Sequence, residues 1–65
     1  MTVALTNKSR QLLIVRLNSG KSLYLAPRER SPLLDGIEVG DNADIAKMSG
    51  RGLISIEQVD RSGGP

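Results

Sequence analysis

The residues that come closest to a catalytic motif are Gly20-Lys21-Ser22. They match the end of the phosphate-binding loop signature G-x-x-x-x-G-K-[ST], in which backbone N–H groups and the Lys hold phosphates. Val15 stands where the signature needs its first Gly, and the segment lies between two predicted strands instead of before a helix. We therefore interpret it as a hairpin turn and not as a nucleotide site.

Asp41, Asn42 and Asp44 carry the side-chain oxygens that hard cations prefer as ligands. A calcium loop also needs regularly spaced oxygens over twelve residues and a closing Glu, and this segment has neither. Asp41 stands directly before a predicted helix, where its carboxylate is well suited to cap the first backbone N–H groups. Capping is the favoured interpretation, and we predict no metal site.

The composition excludes several kinds of chemistry, because the 65-residue chain has no Cys and no His. Disulfides, zinc fingers, thiolate nucleophiles and imidazole bases are all excluded. Catalysis by paired carboxylates needs a cleft that so short a chain is poorly able to form. We therefore expect no enzymatic activity, no cofactor and no small-molecule substrate. A small domain without disulfide or metal is commonly stabilised by oligomerisation.

Arg28 and Arg30 flank Glu29 and can each grip a carboxylate or a phosphate in bidentate fashion. The sequence pI of about 9.5 makes nucleic acid a possible partner. However, the net charge is only +2, and Tyr24 is the single aromatic side chain on which a base could stack. A protein partner is favoured, and a small basic nucleic-acid-binding β-barrel is the alternative.

Alternating apolar and polar residues predict three strands in the first half of the chain. The first strand contains Val3 and Leu5, the second covers residues 11–17, and the third covers residues 22–26. Residues 18–20 form a short hairpin loop whose Gly can adopt a positive φ. Three strands in succession predict a meander.

The second half is predicted to contain a broken fourth strand over residues 33–39, a helix over residues 42–49 and a last strand over residues 53–59. Asp41 is predicted to be the helix N-cap, and Gly50 the glycine that follows its last turn. Ile45 and Met48 would form the apolar stripe of this helix.

This order of elements predicts a mainly all-β fold: a small five-to-six-stranded sandwich or SH3-like barrel with one short helix near residues 42–49. Residues 1–59 are expected to form a single β domain, and residues 60–65 a C-terminal tail that is flexible or ordered by assembly. No segment has the length of apolar sequence that a membrane span or a secretory signal requires. We expect a soluble protein made in the cytoplasm.

Residues 12–15 form an unbroken apolar run within the second predicted strand. Neighbouring side chains of a strand point to opposite faces, so Leu13 and Val15 can enter the core while Leu12 and Ile14 need another cover. That cover is either the short helix or another subunit. We favour the subunit, because exposed apolar patches on small domains commonly mark interfaces.

The charges are unequally divided along the chain. Residues 1–34 carry six basic and one acidic side chain, a net charge of +5, whereas residues 35–65 carry three basic and six acidic side chains, a net charge of −3. If the halves form different faces, identical copies can dock head to tail. Alternatively, the halves interleave in one sheet and neutralise each other locally. The predicted interface residues are Leu12, Ile14, Arg10, Lys21, Tyr24, Arg28, Arg30, Glu38, Asp41 and Asp44.

Three stretches of the sequence carry a resemblance: Thr6-Asn7-Lys8-Ser9, residues 17–29 with the string GKSLYLAP, and residues 45–48 before the strand that begins Gly52-Leu53-Ile54. In this arrangement the chain resembles small structural proteins of phage virions and phage-tail-like particles. The resemblance implies a non-enzymatic capsid-decorating, neck or tail component found in the particle. Its implied partners are larger structural proteins of the same particle and copies of itself.

Overall fold

Alternating apolar residues produce two separate antiparallel sheets in this chain, as seen in a computed structural model that describes residues 2–59. The predicted mainly β class with one short helix is confirmed. Within the described residues the elements are β1 (Thr2–Asn7), β2 (Leu13–Arg16), β3 (Ser22–Leu25), β4 (Leu34–Asp35), a 3-10 turn (Gly36–Glu38), α1 (Ala43–Gly50) and β5 (Ile54–Val59). The predicted tail over residues 60–65 lies outside the described part.

The first sheet has the strand order β4-β1-β5, with β1 at its centre. β5 pairs with the whole of β1, from Thr2 opposite Val59 to Asn7 opposite Ile54. β4 pairs with only the beginning of β1. Beyond β4, the segment that contains Ser31 continues this edge, since the Ser31 N–H donates to the Leu5 carbonyl at 2.6 Å. Residues 3–5 of this central strand are all buried.

The predicted meander is wrong, because β1 does not pair with β2. The physical reason is the side chain of Asn7, which is fully buried at the end of β1. Its amide group donates to the backbone carbonyls of Gln11, Leu25 and Ala26 at 2.8, 2.9 and 3.1 Å. Its oxygen accepts from the Ser9 N–H at 2.8 Å and the Ser9 hydroxyl at 2.7 Å. These bonds hold the chain in a loop before β2 begins.

The second sheet is the hairpin of β2 and β3, as predicted from the turn chemistry. The Gly20 N–H donates to the Leu17 carbonyl at 2.9 Å, and the Leu17 N–H donates to the Lys21 carbonyl at 2.8 Å. Gly20 has a φ of 95°, the left-handed conformation that closes a three-residue hairpin loop. Leu13, Val15 and Leu17 all point into the core, as the period of two requires. β2 is shorter than the predicted residues 11–17, since the Asn7 loop includes Gln11.

The helix lies where it was predicted, but both of its ends differ from the expectation. Asn42, not Asp41, is the N-cap, and its side-chain oxygen accepts from the Ile45 N–H at 3.1 Å. Asp41 instead adopts a φ of 52°, a left-handed conformation that Asp tolerates better than most residues. At the other end Gly52, with a φ of 76°, takes the place predicted for Gly50.

The C-terminal end of α1 has the hydrogen bonds of a Schellman motif. The Gly52 N–H donates to the Ser49 carbonyl and the Leu53 N–H donates to the Met48 carbonyl, each at 3.0 Å. Met48 and Leu53 both pack against the core. This turn directs the chain into β5 beside β1.

The predicted fourth strand is only partly formed. Its strand part is limited to Leu34–Asp35, and the Asp35 carboxylate then accepts from the Ile37 N–H at 3.2 Å to begin a 3-10 turn. The prediction that Ile37 and Val39 continue the strand is wrong, because this turn points the Ile37 side chain into solvent, where 77% of it is exposed.

One hydrophobic core holds both sheets and the helix together. Its members are buried side chains from β1, the hairpin, α1 and β5: Leu5, Leu13, Val15, Leu17, Leu25, Ile45 and Ile54. All are aliphatic, so the core lacks the large buried area that aromatic side chains supply. The buried amide of Asn7 lies at the edge of this core, where hydrogen bonds replace apolar packing.

We expect Asn7→Ala to lower the free energy of unfolding by about 2–4 kcal/mol, because it leaves buried backbone groups without their partners. Urea denaturation followed by circular dichroism measures this change. Gln11→Ala is the control, since Gln11 contributes only backbone groups to the loop, and it should change stability by less than about 0.5 kcal/mol. Equal effects of the two variants would contradict the role given to Asn7.

Candidate protein interface

The outer face of the β2–β3 hairpin exposes three large apolar side chains. Leu12, Ile14 and Tyr24 are 54%, 52% and 60% exposed, and Ile14 lies directly opposite Tyr24 in the hairpin register. The period of two that buries Leu13 and Val15 forces these side chains outward. α1 does not cover them, because its buried residue Ile45 packs against the inner face of the hairpin. The alternative that the short helix covers Leu12 and Ile14 is therefore wrong, and no residue within 2–59 covers this face.

Basic residues surround this apolar face. Arg16 follows Ile14 on the same side of β2, Lys21 lies at the hairpin loop, and Arg10 and Arg28 lie beyond the opposite end of the hairpin. All four are exposed, and none of them forms an ion pair with another described residue. The hairpin thus presents an apolar centre with a cationic rim, which we call the hairpin face (Leu12, Ile14 and Tyr24 with Arg10, Arg16, Lys21 and Arg28).

Arg28 is held in an unusual backbone conformation by a tight turn. The Glu29 N–H donates to the Ala26 carbonyl at 2.9 Å, and the Glu29 carboxylate accepts from the Ala26 N–H at 2.7 Å. Pro27 and Arg28 occupy the two central positions, and Arg28 has a φ of 68°. This is the arrangement of a type II turn, in which Gly is preferred at the position of Arg28.

Arg30 was predicted with the same group of arginines but lies elsewhere. The backbone of Arg30 forms an isolated antiparallel β-bridge with Thr6 along one edge of β1. Glu57 of β5 pairs with Ala4 along the other edge. The two charged side chains meet at 3.1 Å, so the ion pair crosses the face of β1 that points away from the core. Both are more than half exposed, and such a pair contributes little to stability. Arg30 is thus separated from the hairpin face.

The acidic residues of the predicted interface lie near the N-terminal end of α1. Glu38 is engaged within the chain, since its carboxylate accepts from the Ser19 N–H at 2.9 Å. Asp41 and Asp44 are exposed and form no ion pair in the described part of the chain. Both line an open cleft together with Arg16, which places acidic side chains beside the hairpin loop.

The first sheet combines the two halves of the chain, because β1 comes from the basic half, β5 comes from the acidic half and β4 spans the boundary between them. The Arg30–Glu57 pair neutralises charge locally in this sheet. The hairpin comes wholly from the basic half, and its cations have no ion-pair partner in residues 2–59. Charge separation therefore persists between the hairpin and the N-terminal end of α1.

Two asparagines that sequence reasoning did not connect hold the hairpin against α1. The Asn18 amide donates to the carbonyls of Ile37 and Gly40 at 2.8 and 2.6 Å. The Asn42 amide donates to the Arg16 carbonyl at 2.9 Å and to the Asn18 side-chain oxygen at 3.0 Å. The sequence signal was an Asn at each of two turns, but these bonds join residues 19 to 26 positions apart in the sequence and form only once the chain is folded.

A second apolar feature is an open groove of about 460 Å³ between α1 and β5. Its apolar wall consists of Val39, Ile45, Ala46 and Ile56, and Asp41 lies at its border. Ile56 points toward the core side of the first sheet, opposite Leu5, yet remains 43% exposed because no residue in 2–59 fills this space. We call this feature the helix groove.

The described residues include no group of three or more His, Cys, Asp or Glu side chains placed to hold a metal ion. They also contain no helix long and apolar enough to cross a membrane.

We expect Arg28→Gly to stabilise the fold by up to about 1 kcal/mol, because glycine adopts a positive φ without steric cost. In a domain of this size the melting temperature should then rise by up to about 4–8 °C. Arg10→Gly removes the same charge at a position that lacks a positive φ, and it should bring no such rise. A lower melting temperature for Arg28→Gly than for the unmodified protein would show that the turn is not strained.

No family model, no curated protein and no solved structure matches this chain. Its fold and surface chemistry are therefore the grounds on which a function is inferred.

Proposed function

We propose that this protein is a non-enzymatic structural or assembly subunit of a phage or phage-like particle, as a capsid-decorating, neck or tail component, and that it acts through protein–protein contacts. The observation that carries the protein-contact part of the proposal is the hairpin face, which exposes Leu12, Ile14 and Tyr24. The assignment to a phage or phage-like particle rests on the sequence resemblance given above. Apolar patches of this kind on small domains mark protein interfaces. Tyr and Arg, both present on this face, are also the residue types that most often dominate binding energy.

Covering the hairpin face with a partner would contribute a favourable free energy of association. Full burial of a large apolar side chain contributes about 1.5–3 kcal/mol, so covering the exposed halves of Leu12, Ile14 and Tyr24 contributes roughly 2–4 kcal/mol. That is modest for one contact. In a particle made of many copies, however, repeated contacts multiply, and a modest interface gives stable attachment once several engage together.

The finer architecture is part of the proposal. Side chains from both sheets meet in one core beside α1, which supports a small sandwich or SH3-like barrel. A rigid core of this kind suits a subunit that presents a hairpin to its neighbours. The partners we propose are larger structural proteins of the same particle and copies of this chain, with synthesis in the host cytoplasm and a final place in the particle.

We expect Ile14→Glu to weaken attachment to the particle at least about tenfold, since it places a charge in the centre of the buried contact, and tenfold corresponds to only about 1.4 kcal/mol. Co-sedimentation of the purified variant with particles that lack the protein measures this loss. Ile37→Glu is the matched control, because Ile37 is also exposed but lies outside the hairpin face. Its attachment should be unchanged.

Full attachment of Ile14→Glu would exclude the hairpin face as the assembly surface. The melting temperatures of both variants show whether they remain folded. Absence of any attachment by the unmodified protein would overturn the proposed function itself.

Single-stranded nucleic acid is a second candidate partner, supported by one observation. Tyr24 is exposed on a two-stranded ribbon whose neighbouring cations Arg16 and Lys21 have no ion-pair partner in residues 2–59. Bases stack on exposed aromatic rings, and cations bind the backbone in a salt-dependent manner.

The substitution Tyr24→Leu separates the two candidates, because leucine keeps an apolar side chain but removes the ring. If nucleic acid is the partner, oligonucleotide affinity should fall about 5- to 100-fold, corresponding to about 1–3 kcal/mol for one stacked base. Fluorescence anisotropy at low and high salt measures this affinity. Particle attachment with no oligonucleotide binding at low salt would exclude the second candidate.

A further inference from the structure

The helix groove has the dimensions and the chemistry of a receptor for apolar side chains. It is an open groove of about 460 Å³ on the surface of the domain. Val39, Ile45 and Ile56 supply an apolar wall. Ala46, which is small and exposed, keeps the entrance of the groove open on the side of α1.

The border of the groove is acidic. Asp41 lines the groove, and Asp44 lies in the first turn of α1 close by. Neither carboxylate forms an ion pair with another residue of the described part, and both are exposed. An occupant with an apolar centre and a basic rim therefore matches the groove in both apolar character and sign of charge.

The hairpin face has this chemistry. Its apolar centre is formed by Leu12, Ile14 and Tyr24, and its rim carries arginines, Arg28 among them, that have no ion-pair partner in residues 2–59. We propose that the hairpin face of one copy of this protein docks in the helix groove of a second copy. This inference rests on the proposed function, because it takes the hairpin face to be an assembly surface and identifies the surface that receives it.

The two surfaces are formed by different residues of one molecule, which decides the symmetry of the contact. The side chains of the hairpin face point away from the core, whereas the groove residue Ile45 is a member of that core on the inner side of the hairpin. A copy that fills the groove of its neighbour thus keeps its own groove free for the next copy. Such head-to-tail contacts close into a ring or continue as a filament, depending on the rotation between neighbours.

Two single variants test the inference by complementation. Ile14→Glu blocks the hairpin face, and Ala46→Arg blocks the groove by filling it and by repelling the cationic rim. Ser49→Arg is the matched control, because it adds the same side chain to an exposed position of α1 that does not line the groove. Analytical ultracentrifugation from about 10 µM to about 1 mM reaches a Kd of about 1 mM, the affinity that corresponds to the upper value estimated above for covering the hairpin face.

We expect the unmodified protein and Ser49→Arg to associate with increasing concentration, and each blocked variant to associate at least about tenfold more weakly, the change that 1.4 kcal/mol produces. An equimolar mixture of the two blocked variants should form a heterodimer and nothing larger. The intact hairpin face of Ala46→Arg then fills the intact groove of Ile14→Glu, while the other two surfaces are blocked.

Three results overturn the inference. If Ala46→Arg associates as strongly as the unmodified protein, the hairpin face docks somewhere other than the groove. If the two folded variants do not associate when mixed, a head-to-tail contact is excluded. An unmodified protein that stays monomeric up to about 1 mM assigns the groove to a different occupant. Each of these results leaves particle attachment through the hairpin face intact, so the co-sedimentation assay distinguishes failure of this inference from failure of the proposed function.

Discussion

The side chain of Asn7 is a buried amide at the point where the two sheets meet, and the rest of the fold depends on its hydrogen bonds. It connects the end of β1 to the carbonyls of Leu25 and Ala26 at the end of β3 and to the loop before β2. The backbone N–H of the same residue donates to the Glu29 carbonyl at 2.9 Å. A buried amide is tolerated in a small core only when its polar atoms have partners, which fixes the positions of all these segments together.

A consequence of this arrangement is that the hairpin leaves the first sheet and presents its second face to solvent. β2 does not extend the first sheet, because both edges of β1 are already paired, with β4 and with β5. Instead, the hairpin bends over the core with Val15 inward and Ile14 outward. The asparagine pair of Asn18 and Asn42 then holds the hairpin loop against the beginning of α1. The same polar contacts that stabilise the fold therefore expose the apolar face.

Much of the fold could be predicted from local patterns in the sequence. The period of two correctly assigned Leu13 and Val15 to the core and Leu12 and Ile14 to the opposite face, because the direction of a strand side chain depends only on its position along the strand. Local patterns were less reliable where two residues compete for one role. Asp41 and Asn42 are both good N-caps, and Asn42 is the N-cap in the structure. Its amide also donates to the Arg16 carbonyl, a contact with a residue distant in sequence that the local pattern does not reveal.

The sequence by itself determined the mainly β class, the short helix, the absence of Cys and His chemistry, and an apolar run that cannot be buried on both faces. These properties follow from composition and local periodicity. Only the tertiary structure decided that β1 pairs with β5, that Arg30 is engaged by Glu57 while Arg28 is unpaired within residues 2–59, and that a groove opens beside Ile56. The reason is that each of these depends on contacts between residues distant in sequence, whose free energies are set by the packing of the whole chain.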